Sequence, residues 1–132
     1  MIDTRGGAHD RAWLVYDDDC GFCSWWAALA ARHTDLGIVG FSTLTDAERE
    51  RLPEEYETCA HLLTDDGVLS CGEAIEAVLD RMGVLPRPLR LFLNRTADYG
   101  PLRERAYRAA ADRRDWWGRF VSDEPPARRE PQ

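Results

Sequence analysis

Apolar and polar residues fall into blocks along the chain, and the period of each block predicts its secondary structure. Short apolar runs at residues 12–17 and 38–44 are typical of buried strands. Between them, residues 21 to about 33 are rich in alanine, and their large side chains recur at spacings of three and four, which predicts a helix. Two strands joined through a helix are expected to be parallel, with a right-handed crossover.

The middle of the chain predicts a short helix and a hairpin. Residues 45–52 are expected to be helical, because Thr45 can act as N-cap and Glu48 occupies the capping-box position. In residues 59–71 the Asp66-Gly67 pair separates two short apolar segments, which is the pattern of an antiparallel hairpin.

The rest of the chain predicts helices. Residues 72–82 place their apolar side chains on one helical face, and a helical extension is expected from about residue 86. Its last helix is expected to start at Pro101 and to end at Gly118. The predicted order β-α-β-α-β-β-α defines an α/β fold of the thioredoxin-like arrangement, with a mixed four-stranded sheet, helices on both faces and a C-terminal helical extension.

Length and composition indicate one domain with polar ends. We expect residues 1–11 to be a disordered lead-in, residues 12–121 to form the thioredoxin-like domain, and residues 122–132 to be a disordered tail. The polar N-terminus and the short apolar runs favour no signal peptide or membrane span, so the expected location is cytoplasmic. A monomer and a dimer both remain open.

The net charge of the protein argues against one class of partner. The formal net charge is −7, and the 17 cationic side chains are all arginine. An acidic protein without a basic stripe is a poor match for phosphate backbones, so no nucleic-acid partner is expected.

Cys20 and Cys23 carry the candidate chemistry. They lie two residues apart at the junction of the first strand and the first helix. There the unpaired N–H groups of the helix start favour the thiolate, which is the reactive form of cysteine. Cys20 is then the exposed nucleophile, and Cys23, one turn inside the helix, is the resolving thiol.

Three aspartates directly precede this pair, and their negative charges disfavour a thiolate at Cys20. A carboxylate about 8 Å away disfavours the thiolate by roughly 0.5–2 kcal/mol, whereas a helix terminus favours it by about 0.3–2 kcal/mol. The pair is therefore not expected to be a strong oxidant. Asp19 or Asp18 is also a candidate for the N-cap of the helix.

The stretch VYDDDCGFCSWW resembles the signature of the DCC family of thiol-disulfide oxidoreductases, named for an Asp-Cys-x-x-Cys motif. Tyr16, Asp17 and Asp19 match the family's form beside the cysteines, whereas Asp18 replaces its usual glycine. The segments HLLTDDGVLSCGEAI and YRAAADRRDWWGR are also similar to the family, so the resemblance runs from about residue 12 to residue 120. It implies a thioredoxin-like fold and dithiol–disulfide exchange with a protein or small thiol partner.

Several neighbours are candidates for supporting roles. Gly21 and Phe22 lie between the cysteines, and Trp25 is expected at the rim of the redox site. Thioredoxins place a cis-proline before the third strand, where it faces the disulfide. Thr58 or Cys59 stands there in this chain, so docking of a substrate in the thioredoxin manner is not assumed.

The remaining cysteines leave alternatives open. Cys59 and Cys71 flank the predicted hairpin and could form a second disulfide, although buried cysteines more often act as small hydrophobes. Four cysteines could also bind zinc, but structural zinc sites usually have two closely spaced ligand pairs. We expect no metal and no organic cofactor. A redox-inactive binding module and a small zinc-stabilised domain are the alternatives to an oxidoreductase.

Overall fold

A single mixed sheet organises the chain. The computed structural model describes residues 11–132, so all but the last residue of the expected disordered lead-in lies outside the described residues. The sheet has the strand order β2-β1-β3-β4. Its strands are β1 (Trp13–Tyr16), β2 (Gly37–Gly40), β3 (His61–Thr64) and β4 (Gly67–Ser70). As predicted, strands β1 and β2 are parallel and β3 and β4 are antiparallel; the structure adds an antiparallel pairing of β1 with β3.

Six helices complete the described part of the fold. They are α1 (Gly21–His33), α2 (Asp46–Arg51), α3 (Cys71–Met82), α4 (Arg87–Asn94), α5 (Tyr99–Ala111) and α6 (Arg114–Trp117). The capping box is confirmed, because the Thr45 hydroxyl accepts from the Glu48 amide and the Glu48 carboxylate accepts from the Thr45 amide. The thioredoxin-like α/β fold predicted from the element order is also confirmed.

Three predicted boundaries differ from the structure. Strand β2 ends at Gly40 rather than at residue 44, because the Asp18 carboxylate binds the Ser42 amide and the chain turns there. The last long helix begins two residues before Pro101, since a proline in the first turn removes no helical hydrogen bond. That helix ends at Ala111, and α6 follows separately.

The hairpin is confirmed with its turn shifted by one residue. Thr64 pairs with Gly67, so Asp65 and Asp66 form the connection. The Thr64 hydroxyl accepts from the Asp66 amide at 3.2 Å and donates to the Gly67 carbonyl at 3.1 Å. Gly67 therefore serves as the first residue of β4, where its φ of 144° suits glycine.

The two faces of the sheet bury separate cores. Leu14 and Tyr16 of β1 face the helical layer of α1 and α3, whereas Val15 faces the opposite side, as the period of a strand requires. The first core includes Ala27 and Ala30 of α1 and Ala74, Ala77 and Val78 of α3. Leu44 and Leu52, at either end of α2, close the second core. The Cys20–Cys23 pair follows β1 and so lies at the edge of the first core.

The C-terminal segment, expected to be a disordered tail, lies against the edge strand β2. Arg129 forms an isolated antiparallel bridge with Ile38, and its guanidinium donates to the carbonyls of Leu36 and Thr34 at 2.9 and 2.7 Å. Arg128 binds the Glu48 carboxylate at 2.7 Å and lies over the Trp13 ring. In the structure these contacts hold the tail against β2, which its polar composition does not predict. Whether the tail is disordered in solution, as its composition predicts, is a separate question that truncation and amide exchange can test.

Candidate redox site

Cys20 is itself the N-cap of α1. Its backbone is extended, and its sulfur accepts a hydrogen bond from the Cys23 amide at 3.2 Å. Cys20 and Cys23 form a disulfide, with their Cα atoms 5.2 Å apart. The expectation that Asp19 or Asp18 caps this helix is therefore wrong, because the capping atom must reach an amide two or three positions inside and only Cys20 has that register.

The three aspartates have partners other than the helix. One Asp17 oxygen accepts from the Asp19 amide at 2.9 Å, and the other lies 3.3 Å from the guanidinium of Arg114 in α6. The Asp18 carboxylate binds the amide and the hydroxyl of Ser42. The side chain of Asp19 is exposed. The negative charge of Asp17 is thus compensated by Arg114, which lies far away in the sequence. The motif itself gives no indication of this ion pair.

An apolar cavity of about 390 Å³ opens beside the disulfide. Most of the predicted site residues line it, namely Tyr16, Asp17, Phe22, Cys23, Trp25 and Cys59. Its other walls come from Ile75 and Leu79 of α3 and from Tyr107 and Arg114 of the C-terminal extension. No motif in the sequence pointed to this second set of residues. The amphipathic pattern of each helix indicates which of its faces is buried. It does not indicate which helices pack together to form a cavity.

Aromatic rings surround the start of α1. The ring centroid of Phe22 lies 6.0 Å from that of Trp25 and 6.4 Å from that of Trp117, and both pairs are stacked. Phe22, between the two cysteines, is thereby held between its own helix and α6. The disulfide consequently has an aromatic wall on the side of the cavity.

Three predicted supporting residues lie away from the cavity lining, namely Asp19, which is exposed, Thr58 and Gly21. Thr58 is exposed in a single 3₁₀ turn, and its hydroxyl donates to the Glu55 carbonyl at 2.9 Å. The Gly21 carbonyl accepts from the Asp123 amide at 3.2 Å, and a Cβ at Gly21 would overlap the Ser122 hydroxyl. A larger residue at the first position of α1 would therefore displace the Ser122 side chain, because the chain passes directly over Gly21 after α6.

Cys59 and Cys71 form a second disulfide, with their Cα atoms 5.2 Å apart. The expectation that these cysteines are separate buried hydrophobic residues is therefore wrong. Cys59 is only 5% exposed. Cys71 has a φ of 56°, a left-handed conformation that non-glycine residues rarely adopt.

The buried polar side chains around the site are uncharged at neutral pH. Burial, followed by the charge of Asp18, raises the pKa of Tyr16 to about 12. Burial lowers the pKa of His61, although its bond to the Tyr56 carbonyl opposes this. The neutral His61 ring donates from Nε2 to that carbonyl at 2.7 Å and accepts at Nδ1 from the Ser70 hydroxyl at 2.8 Å. Neither side chain therefore adds a charge beside the disulfide at neutral pH.

Residues 11–132 contain neither a cluster of metal-binding side chains nor a helix that could span a membrane. No set of three or more His, Cys, Asp or Glu side chains is arranged to hold a metal ion in these residues. Within the same range, no helix has the length and apolar character needed to cross a membrane.

Comparison with known proteins agrees with the geometry. A family model described as DCC1-like thiol-disulfide oxidoreductase matches residues 14–120, which include both disulfides and the helices that line the cavity. No curated protein and no solved structure matches the chain.

Proposed function

The chain belongs to the DCC1-like thiol-disulfide oxidoreductase family, and we propose that it exchanges a Cys20–Cys23 dithiol/disulfide with a protein or small thiol partner. The observation that carries the proposal is the hydrogen bond from the Cys23 amide to the Cys20 sulfur at the start of α1. In the reduced protein this donor and the helix dipole stabilise a thiolate at Cys20.

The exchange proceeds in two balanced steps. The Cys20 thiolate attacks one sulfur of a partner disulfide, so a mixed disulfide forms and the partner's other sulfur leaves as a thiolate. The Cys23 thiol loses its proton and attacks the Cys20 sulfur, which releases the partner's second thiolate and closes the Cys20–Cys23 disulfide. Two electrons pass from the protein to the partner, and the reverse sequence reduces the protein.

The cavity supports a partner that carries an apolar group next to its reactive sulfur. Its volume of about 390 Å³ lies in the range of pockets that bind small ligands, and Phe22, Trp25 and Leu79 are among its walls. We expect a peptide disulfide with a phenylalanine beside the cysteine to react faster than oxidised glutathione, which is anionic. The proposal retains the cytoplasm as the expected compartment, and fractionation of cells would test it.

A redox titration tests the exchange. The protein is equilibrated in glutathione or dithiothreitol buffers, free thiols are trapped by alkylation, and each cysteine is mapped by mass. A reversible Cys20–Cys23 couple with a potential between about −120 and −270 mV is expected. A pair that does not change its redox state across this range would contradict the proposal.

Matched variants assign the roles of the two cysteines. With a disulfide peptide, Cys23→Ser is expected to accumulate a mixed disulfide through Cys20, because the resolving thiol is missing. Cys20→Ser is expected to accumulate much less. If Cys20→Ser binds a partner as wild type does under both oxidising and reducing conditions, the redox-inactive binding module is the correct function. Zinc released on oxidation would instead identify the zinc-stabilised domain.

A further inference from the structure

A second pair of cysteines opens on the cavity that the redox pair uses. Cys23 and Cys59 both line this cavity, whereas Cys20 and Cys71 are not among its lining residues. Each of the two disulfides therefore presents one sulfur-bearing residue to the same apolar space. The proposed function uses only one of these disulfides.

We propose that Cys59–Cys71 is a second redox-active disulfide, which exchanges electrons with Cys20 and Cys23 through a Cys23–Cys59 link across the cavity. The proposal rests on the proposed function, because Cys20 and Cys23 connect the second pair with the external thiol. Cys59 is only 5% exposed, so a partner in solution has poor access to its sulfur. Cys23 reaches the same space from inside the protein.

The relay is balanced without a further reactant. When an external dithiol has reduced the first pair, the Cys23 thiolate attacks the Cys59 sulfur, and Cys71 leaves as a thiolate that takes up a proton. The Cys20 thiolate then attacks the Cys23 sulfur and releases Cys59. The Cys20–Cys23 disulfide is restored, and two electrons and two protons have passed to Cys59 and Cys71.

The surroundings of the second disulfide are suited to a step of this kind. The amides that follow its two cysteines both bind side chains of α5: Ala60 donates to the Tyr107 hydroxyl at 3.3 Å, and Gly72 donates to the Glu104 carboxylate at 3.0 Å. Tyr107 also lines the cavity, so one helix connects the second disulfide with the cavity wall. The left-handed backbone of Cys71 is a local strain, of the sort that collects at functional sites.

The first test measures how fast the second disulfide is reduced. Wild type and the Cys20→Ser/Cys23→Ser variant are mixed with reduced glutathione, quenched by alkylation and mapped by mass. Reduction of Cys59–Cys71 is expected to be at least about tenfold slower in the variant, because the relay attacks the buried Cys59 sulfur from inside the protein and the variant lacks it. Equal rates in the two proteins would overturn the relay.

The second test asks whether the two cavity cysteines can bond. Cys20→Ser/Cys71→Ser retains Cys23 and Cys59 and is expected to form a Cys23–Cys59 disulfide on mild oxidation. The matched control, Cys23→Ser/Cys71→Ser, retains Cys20 and Cys59 and is expected to form far less. A control that cross-links as well as the test variant would overturn the proposed route. If loss of Cys71 prevents folding, the kinetic test decides, because its variant keeps the second disulfide.

The wild-type titration separates the two proposals. A Cys20–Cys23 couple that cycles while Cys59–Cys71 stays oxidised would remove the relay and leave the proposed function intact. A Cys20–Cys23 pair that does not cycle would remove the proposed function itself.

Discussion

Cys20 combines two roles, since its sulfur both caps α1 and forms the redox disulfide. A conventional cap such as Ser or Asp would satisfy the same amide without redox chemistry. Asp17, three residues before Cys20, would disfavour a thiolate by its negative charge, but its carboxylate lies 3.3 Å from Arg114. One of the three negative charges before Cys20 is therefore compensated by a side chain of α6.

Replacing Arg114 tests this compensation. Arg114→Gln leaves the Asp17 charge uncompensated, so the thiolate fraction of reduced Cys20 should fall. We expect its alkylation rate at pH 7 to fall by about twofold, because an ion pair of this exposure is worth roughly 0.2–1 kcal/mol. The exposed Arg119→Gln removes the same charge from the end of the domain and serves as control. Equal rates in both variants would mean that the Asp17–Arg114 pair does not act on Cys20.

At the scale of elements, helix α3 is buried on two sides. Its apolar side packs against the sheet through Ala74 and Val78. The buried Glu76 faces the C-terminal helices, where it binds Arg90 of α4 at 2.8 Å and Arg103 of α5 at 2.9 Å. Asn94 and Tyr99 also donate to its carboxylate. Burial raises the pKa of Glu76, but the bonds from Asn94, Arg103, Tyr99 and Arg90 outweigh it and hold the pKa at about 2.

Glu76→Gln should destabilise the fold. The change leaves Arg90 and Arg103 without their shared carboxylate, and breaking a buried charge network of this kind costs about 3 kcal/mol. Urea denaturation would measure the loss, and Glu73→Gln, at an exposed position of the same helix, is the control. Equal stability of the two variants would contradict the proposed role of Glu76 in binding α4 and α5 to α3.

Acid should weaken the wild type through the same group. The folded pKa of about 2 lies below the ordinary value of 4.5, so this contribution is fully present above about pH 4.5 and is lost as the pH falls towards 2. The free energy of unfolding should therefore fall more steeply with acid in the wild type than in Glu76→Gln. Parallel curves for the two proteins between pH 5 and pH 2 would refute this assignment.

Helix α2 offers a smaller test at the same scale. With only six residues, it depends on the capping box of Thr45 and Glu48 for its first turn. Thr45→Ala should cost about 1 kcal/mol of unfolding free energy. Ser42→Ala changes a hydroxyl outside the box and removes a contact of Asp18 instead. It should leave the exchange of the Glu48 amide unchanged, whereas Thr45→Ala should accelerate it.

At the scale of the whole molecule, the C-terminal segment runs from the start of α1 to the edge strand β2. It passes over Gly21 at the start of α1 and then runs to β2, where Ile38 exchanges backbone hydrogen bonds with Arg129 at 2.9 and 3.0 Å. An uncovered edge strand presents unpaired amides and carbonyls to other chains. The segment therefore protects β2 as well as packing next to the redox helix.

Truncation after Val121 should expose that edge. We expect the free energy of unfolding to fall by about 2 kcal/mol, the scale of one or two hydrogen bonds to charged groups. The Ile38 amide should exchange with solvent much faster than in the full chain. Glu124→Gln, which retains the docked arginines, is the control. If the Ile38 amide exchanges equally fast in the full chain, the tail is undocked in solution, as its composition predicts.

The arrangement of strands and helices follows closely from the sequence, because each element depends on neighbours within a few positions. The alternation of Leu14, Val15 and Tyr16 already assigns them to opposite faces of a strand. The capping residues of α2 are equally local. Boundaries were less predictable where a distant side chain intervened, as Asp18 does at the end of β2.

The sequence by itself determined the order of strands and helices along the chain, the position of the Cys20–Cys23 pair and the family, since periodicity, turn residues and the motif are properties of short segments. Only the tertiary structure decided that Arg114 reaches Asp17, that Glu76 is a buried centre for two helices, and that Cys59 joins Cys71 beside the cavity of Cys23. These contacts join residues far apart in the chain. Their energy depends on burial and on partners that no local pattern specifies.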